Sequence, residues 1–129
     1  MFWDKEIETL DRPALEQMQL KRLQETVRRL DERVPFYQQK FAEAGLRPET
    51  IKTLADLRHI PFTTNADLRA NYPMGLVAVD RSRLSRLHTS SGTTGKPKAL
   101  FFSRQDVEQA AELIARCLVM ARVTPEDVL

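Results

Sequence analysis

The sequence predicts an α/β chain, mostly helical, with N-terminal helices followed by a short β-hairpin, a long helix and the start of a strand. Three observations carry that prediction. Apolar side chains from Leu15 to Val34 recur at gaps of 3 to 5 residues, the period of one helix face. Thr53, Thr64 and Ser103 each stand three places before an aspartate, a capping-box variant that marks helix starts. Two short runs, 84–89 and 99–102, read as strands and flank a loop rich in Ser, Thr and Gly.

The elements follow in order. Asp11 caps a helix of about 20 residues with Pro13 in its first turn. Its apolar stripe is Leu15, Met18, Leu23, Val27, Leu30 and Val34, and Glu25 with Arg29 offers an i,i+4 ion pair on the charged face. Val34-Pro35 ends it, because the residue before proline avoids the helical basin. A second helix is expected from Phe36 to Ala44, burying Phe36, Phe41 and Ala44, with Gly45 at the left-handed stop position. Two small helices open at Thr53 and Thr64, separated by an extended His59-Ile60-Pro61-Phe62. Tyr72-Pro73-Met74-Gly75 reads as a turn.

After Gly75 the character changes. Strands at 84–89 and 99–102 enclose the loop, since Pro97 prevents a helix from starting there. A helix then runs from about Arg104 to Arg122, and its later half is apolar nearly all round, including Cys117, which reads as a small core residue. Thr124 to Asp127 is a turn, and Val128-Leu129 begins a strand. Two strands and a stub do not cover such a helix, so its sheet partners are expected to lie outside this chain. A complete small helical domain with a frayed end is the other reading.

Composition narrows the classes. The 129 residues make one small domain or a piece of a larger one. Lys and Arg number 20 and Asp and Glu 18, interspersed, for a net charge of +2, which implies no polyanion-binding tail. A single cysteine allows no internal disulfide and suits a reducing compartment. The first residues, Met-Phe-Trp-Asp-Lys-Glu, carry charges where a signal peptide needs an apolar core. No apolar run approaches the roughly 20 residues that span a bilayer. Arg81, Arg83 and Arg86 form a basic run without interleaved aromatics, so nucleic acid is not an expected partner.

The loop Ser90-Ser91-Gly92-Thr93-Thr94-Gly95-Lys96-Pro97-Lys98 carries the chemistry. Glycines let backbone N–H groups approach anionic oxygens and form an anion nest. The hydroxyls of Ser90, Ser91, Thr93 and Thr94 add adaptable donors, and Lys96 and Lys98 add charge. No acidic residue lies between Leu87 and Arg104 to repel phosphate. Spacing rejects the Walker loop, which needs four residues between its glycines, and the three-glycine dinucleotide fingerprint. A polyphosphate cradle and a plain Ser/Thr/Gly hairpin turn both remain.

That nine-residue run resembles the phosphate-binding signature of the adenylate-forming superfamily. The surroundings are similar to the start of the phenylacetate–CoA ligase family: Trp3, Glu6-Ile-Glu8, Val34-Pro-Phe-Tyr37, Pro61-Phe-Thr-Thr64, Asp67-Leu-Arg69, Tyr72-Pro73 and Leu87-His88. The likeness runs from residue 2 to residue 129, and the family enzyme is considerably longer. After Pro97 the family often continues with Thr and a Val-Val-Gly-Tyr-type strand, whereas this chain has Lys98-Ala-Leu-Phe-Phe.

The resemblance implies an acid–thiol ligase. ATP and an aryl acid give an acyl-adenylate and pyrophosphate, and CoA then displaces AMP. It implies that Ser90, Ser91, Gly92, Thr93, Thr94, Gly95 and Lys96 wrap the β- and γ-phosphates, with Lys98 as an additional contact. It divides the chain into a helical segment, 1–75, and the beginning of an AMP-binding domain, 76–129. Mg2+ and CoA join ATP as cofactors, while the metal-binding acid, the adenine contacts and the catalytic lysine lie in later segments. The expected setting is the cytoplasm, with a second copy as partner and no activity from this chain alone. A related synthetase acting on another acid or on a deazaflavin, and a non-catalytic assembly element, are the alternatives. His88 reads as strand-end packing, and His59 has no partner for a metal site.

Overall fold

The computed structural model describes residues 1–90, 98–124, 126 and 127. Among the described residues, five α-helices and two strands succeed one another: α1 (Lys5–Glu8), α2 (Arg12–Arg33), α3 (Pro35–Glu43), α4 (Asn65–Ala70), β1 (Leu84–Thr89), β2 (Ala99–Ser103) and α5 (Arg104–Met120). Short 3-10 turns occupy Pro48–Thr50, Leu54–His59 and Arg81–Arg83. The expected class holds: a mostly helical chain with one antiparallel hairpin and a long helix.

Helix α2 begins and ends where its sequence dictates. The Asp11 carboxylate accepts the Ala14 N–H at 2.9 Å, and Val34 is extended (φ −125°, ψ 101°) before Pro35. The expected Glu25–Arg29 ion pair is not formed; both side chains are exposed, where solvation outweighs a pair of this kind. Helix α3 closes with a left-handed Gly45 (φ 64°), whose N–H donates to Ala42 at 3.1 Å, while Leu46 N–H reaches Phe41 at 2.8 Å. This pair of bonds turns the chain so that Leu46, rather than the expected Ala44, enters the core; Ala44 is exposed.

The core lies between α2, α3 and the segment after α3. Val27, Phe41, Leu46 and Ile51 are buried together, backed by half-buried Leu20, Leu23, Leu30, Tyr37 and Ile60. Each fully buried side chain of this size stabilises the fold by about 1.5–3 kcal/mol. Gln24 Nε2 donates to the Ile51 carbonyl at 2.7 Å and fixes the returning chain along α2. The extended stretch starts at Ile60 rather than His59, which completes the 3-10 turn.

At Gly75 the backbone N–H meets the Asn71 carbonyl at 2.8 Å. A Cβ at Gly75 would stand 2.9 Å from that oxygen, so the turn after α4 requires glycine. Beyond it β1 and β2 pair antiparallel, Leu87 opposite Phe101 and Thr89 opposite Ala99, with an irregularity between Leu84 and Arg86.

The Ser103 hydroxyl and Asp106 carboxylate cap α5 as expected, Ser103 N–H donating to Asp106 at 2.7 Å. The hairpin leaves α5 uncovered, as two strands and a stub were expected to, but Cys117 departs from its expected place in a core. None of its residues is buried, Leu113 and Ile114 are about 60% exposed, and Cys117 is exposed rather than a core residue. Apolar composition on all sides gives a helix the capacity for burial, but only packed neighbours realise it. Its inner side instead meets the N-terminal residues. Trp3 Nε1 donates to Glu112 at 2.6 Å, and the Arg116 guanidinium lies 3.7 Å from both Asp4 and Glu8. Asp4 also caps α1, a four-residue helix that the sequence pattern did not announce. The strand expected at Val128-Leu129 lies outside the described residues.

Candidate phosphate-binding site

The antiparallel pairing of β1 and β2 brings the two ends of the loop together. Ser90 N–H donates to the Lys98 carbonyl at 3.2 Å, and Lys98 N–H donates to Ser90 Oγ at 3.0 Å. Ser90 and Lys98 therefore form the neck of the loop. The other expected phosphate contacts, Ser91, Gly92, Thr93, Thr94, Gly95 and Lys96, lie outside the described residues.

The neck is braced from the helical segment. Lys98 Nζ donates to Asn65 Oδ1 at 2.7 Å, across 33 residues of sequence. Asn65 is the first residue of α4, directly after the cap Thr64. The Thr64 N–H donates to Asp67 at 2.7 Å, and Asp67 N–H returns to Thr64 Oγ1 at 3.2 Å. Asp67 is held in turn by Lys40 of α3, whose Nζ lies 2.7 Å from its carboxylate. The Lys40 bond, then the Thr64 N–H, lower the Asp67 pKa from 3.8 to about 2. Lys40 also sits 5.0 Å from the centre of the Phe36 ring. A continuous chain of polar contacts thus leads from α3 through α4 to the loop.

His88 packs its ring against Phe102, centroids 4.9 Å apart, in the strand-end role expected of it. Asn65 was not among the residues singled out by sequence. Its contact with Lys98 is set by how α4 docks on the hairpin, and no local pattern encodes a separation of 33 residues. An open groove of about 1090 Å3 lies elsewhere, lined by residues of α2, the 76–84 stretch, β2 and α5, including Arg29, Arg83, Phe101 and Arg116. It includes neither Ser90 nor Lys98, and its lining mixes arginines with carboxylates, so it does not extend the neck of the loop. Among the described residues, no three His, Cys, Asp or Glu side chains gather as a metal site, and no helix is long and apolar enough to cross a membrane.

No family model matches the chain. Individual proteins do. The phenylacetate-coenzyme A ligase of Thermus thermophilus is 45% identical over 125 residues, 97% of this chain. The chain is homologous to the N-terminal portion of phenylacetate–CoA ligase. The Escherichia coli ligase is 41% identical over 94% of the chain, and that of Pseudomonas putida 43% over 87%. The chain spans 26–28% of the length of these ligases. Among solved structures, an open conformation of 2-hydroxyisobutyryl-CoA ligase in complex with 2-HIB-AMP and CoA superposes with a TM-score of 0.87 at 31% identity. That match covers 98% of this chain and 30% of the other. The same ligase in its thioesterification state, again with 2-HIB-AMP and CoA, matches at 34% identity and a TM-score of 0.80 over 89% of the chain. The relationship is therefore to adenylate-forming CoA ligases, by sequence and by fold.

Proposed function

We propose that this chain is the N-terminal part of an ATP-dependent aryl-acid–CoA ligase of the phenylacetate type. Its role is to hold the polyphosphate of ATP while the acid is adenylated. The observation that carries the proposal is the loop itself, with its two glycines, four hydroxyls and two lysines, in a chain 45% identical to a phenylacetate–CoA ligase.

In this reading Gly92 and Gly95 bring backbone N–H groups close to the β- and γ-phosphates. Ser90, Ser91, Thr93 and Thr94 donate to their oxygens, Lys96 neutralises charge, and Lys98 adds a contact at the neck. The acid's carboxylate attacks the α-phosphorus, and the loop stabilises the charge that develops on departing pyrophosphate. CoA thiol then displaces AMP. The Mg2+ implied by the resemblance would be held by residues other than those described, among which no three His, Cys, Asp or Glu side chains gather. Residues 1–75 serve as the helical brace and 76–129 as the start of the AMP-binding domain, in a cytoplasmic enzyme that associates with a second copy. That 2-hydroxyisobutyryl-CoA ligase shares this fold supports a second reading, in which the same grip serves a different acid.

The test is titration of ATP into the chain by calorimetry. Binding is expected to be weak, to fall at about 0.5 M salt as screening shortens the reach of charge, and to fall further in Lys96→Ala. Equal affinity in Lys96→Ala would remove the phosphate role.

A further inference from the structure

We propose that Asn65 is a positioning residue for the loop, acting through the Lys98 ammonium. The proposal rests on the phosphate-binding reading above and adds a residue from outside the loop and outside its β-hairpin.

The Lys98 backbone is fixed to Ser90 by two hydrogen bonds, at 3.2 and 3.0 Å. Its side chain would otherwise be free, with four flexible bonds and a strongly hydrated head. Asn65 Oδ1 takes one of its three N–H donors at 2.7 Å and leaves two for a ligand. The partner's chemistry matters. An amide oxygen orients an ammonium without cancelling its charge, whereas a carboxylate there would neutralise it and repel phosphate. The one acid of α4, Asp67, is turned away from this role by Lys40 at 2.7 Å and the Thr64 N–H at 2.7 Å. Lys98 thus meets a neutral partner, in a stretch where no acid occurs between Leu87 and Arg104. Lys40, Asp67 and the Thr64 cap hold α4 in place, and α4 holds Lys98. Preordering one long side chain in this way lowers the entropy lost when it closes on an anion.

The experiment measures ATP binding to the 129-residue chain and to Asn65→Ala, Asn65→Asp, Lys98→Ala and the Asn65→Ala/Lys98→Ala double variant. Thermal unfolding and the Lys98 side-chain NMR resonances are followed alongside. Asn65→Ala is expected to weaken ATP about three- to tenfold, the range for one side chain left unordered. It should shift the Lys98 Cε resonance and leave thermal stability nearly unchanged. Asn65→Asp should weaken ATP more, in a salt-dependent way. In the Lys98→Ala background the Asn65→Ala effect should vanish. Loss of affinity that persists in that background, or an Asn65→Ala protein that binds ATP normally, overturns the positioning role while leaving the phosphate loop intact. Binding unaffected by both Lys96→Ala and Lys98→Ala overturns the phosphate reading, and the Asn65 role with it.

Discussion

Replacing Gly45 with alanine isolates the cost of a left-handed backbone at the end of α3. Gly45 sits at φ 64°, and a Cβ built there meets nothing within 4 Å. Sterics with the surroundings therefore contribute nothing, and the cost is that of the backbone alone. Holding a non-glycine residue in this basin costs about 1–2 kcal/mol. Alanine also narrows the unfolded ensemble, which returns about 0.4–1 kcal/mol. The net loss is about 1 kcal/mol, or about 4 °C of melting temperature for a chain of 129 residues. Asparagine, which tolerates the left-handed basin, should lose less than half as much, and valine more than alanine. Urea and thermal unfolding followed by circular dichroism at 222 nm give the order Gly, Asn, Ala, Val. A loss above about 3 kcal/mol for alanine would reveal a contact that the geometry lacks, since only packing defects reach that size. A neutral valine would show that Gly45 does not occupy the left-handed basin at all.

The other predictions address the core and the brace. Phe41 is 1% exposed at the centre of the core, so Phe41→Ala should cost about 3–5 kcal/mol, and a loss under 1 kcal/mol in urea unfolding would contradict the packing. Asp67 titrates near 2 when folded, below its ordinary 3.8, so its ionised form favours folding. That stabilisation is complete above about pH 4 and is lost as pH falls toward about 2. Lys40→Met removes the largest cause of the shift, so stability should fall less steeply over that window. Parallel acid limbs in urea midpoints for the two proteins would refute the link.

What sequence reveals here divides along the range of the interactions. The bounds of α2, the hairpin strands and the caps at Thr53, Thr64 and Ser103 are written in three or four adjacent residues, and the structure reproduces them. Fine errors arise where a turn redirects the chain. Ala44 continues the helical period, but Gly45 ends it and delivers Leu46 to the core instead. Helix α1 is too short to show a period, and only the Asp4 cap betrays it. Composition marks α5 as a helix that needs cover, and it is exposed here because two strands do not supply it; Cys117, read as a core residue, is exposed with it. The loop was conspicuous as a candidate because glycine, hydroxyl and lysine are contiguous. Its brace was not, because Asn65 and Lys98 meet only after α4 docks on the hairpin.

The contact of Trp3 with Glu112 has a kinetic meaning. It joins residues 109 apart, whereas Gln24–Ile51 and Lys40–Asp67 each close 27. That fourfold difference raises the entropy of closure by about 1.2 kcal/mol. The core around Phe41 can therefore assemble from neighbouring segments before the chain's two ends find each other. Trp3 is the one tryptophan in the sequence, and its indole N–H is the donor to Glu112, so its fluorescence is placed to sense a contact that spans 109 residues. One native side chain therefore offers an optical probe of the costlier closure, separate from the assembly of the core.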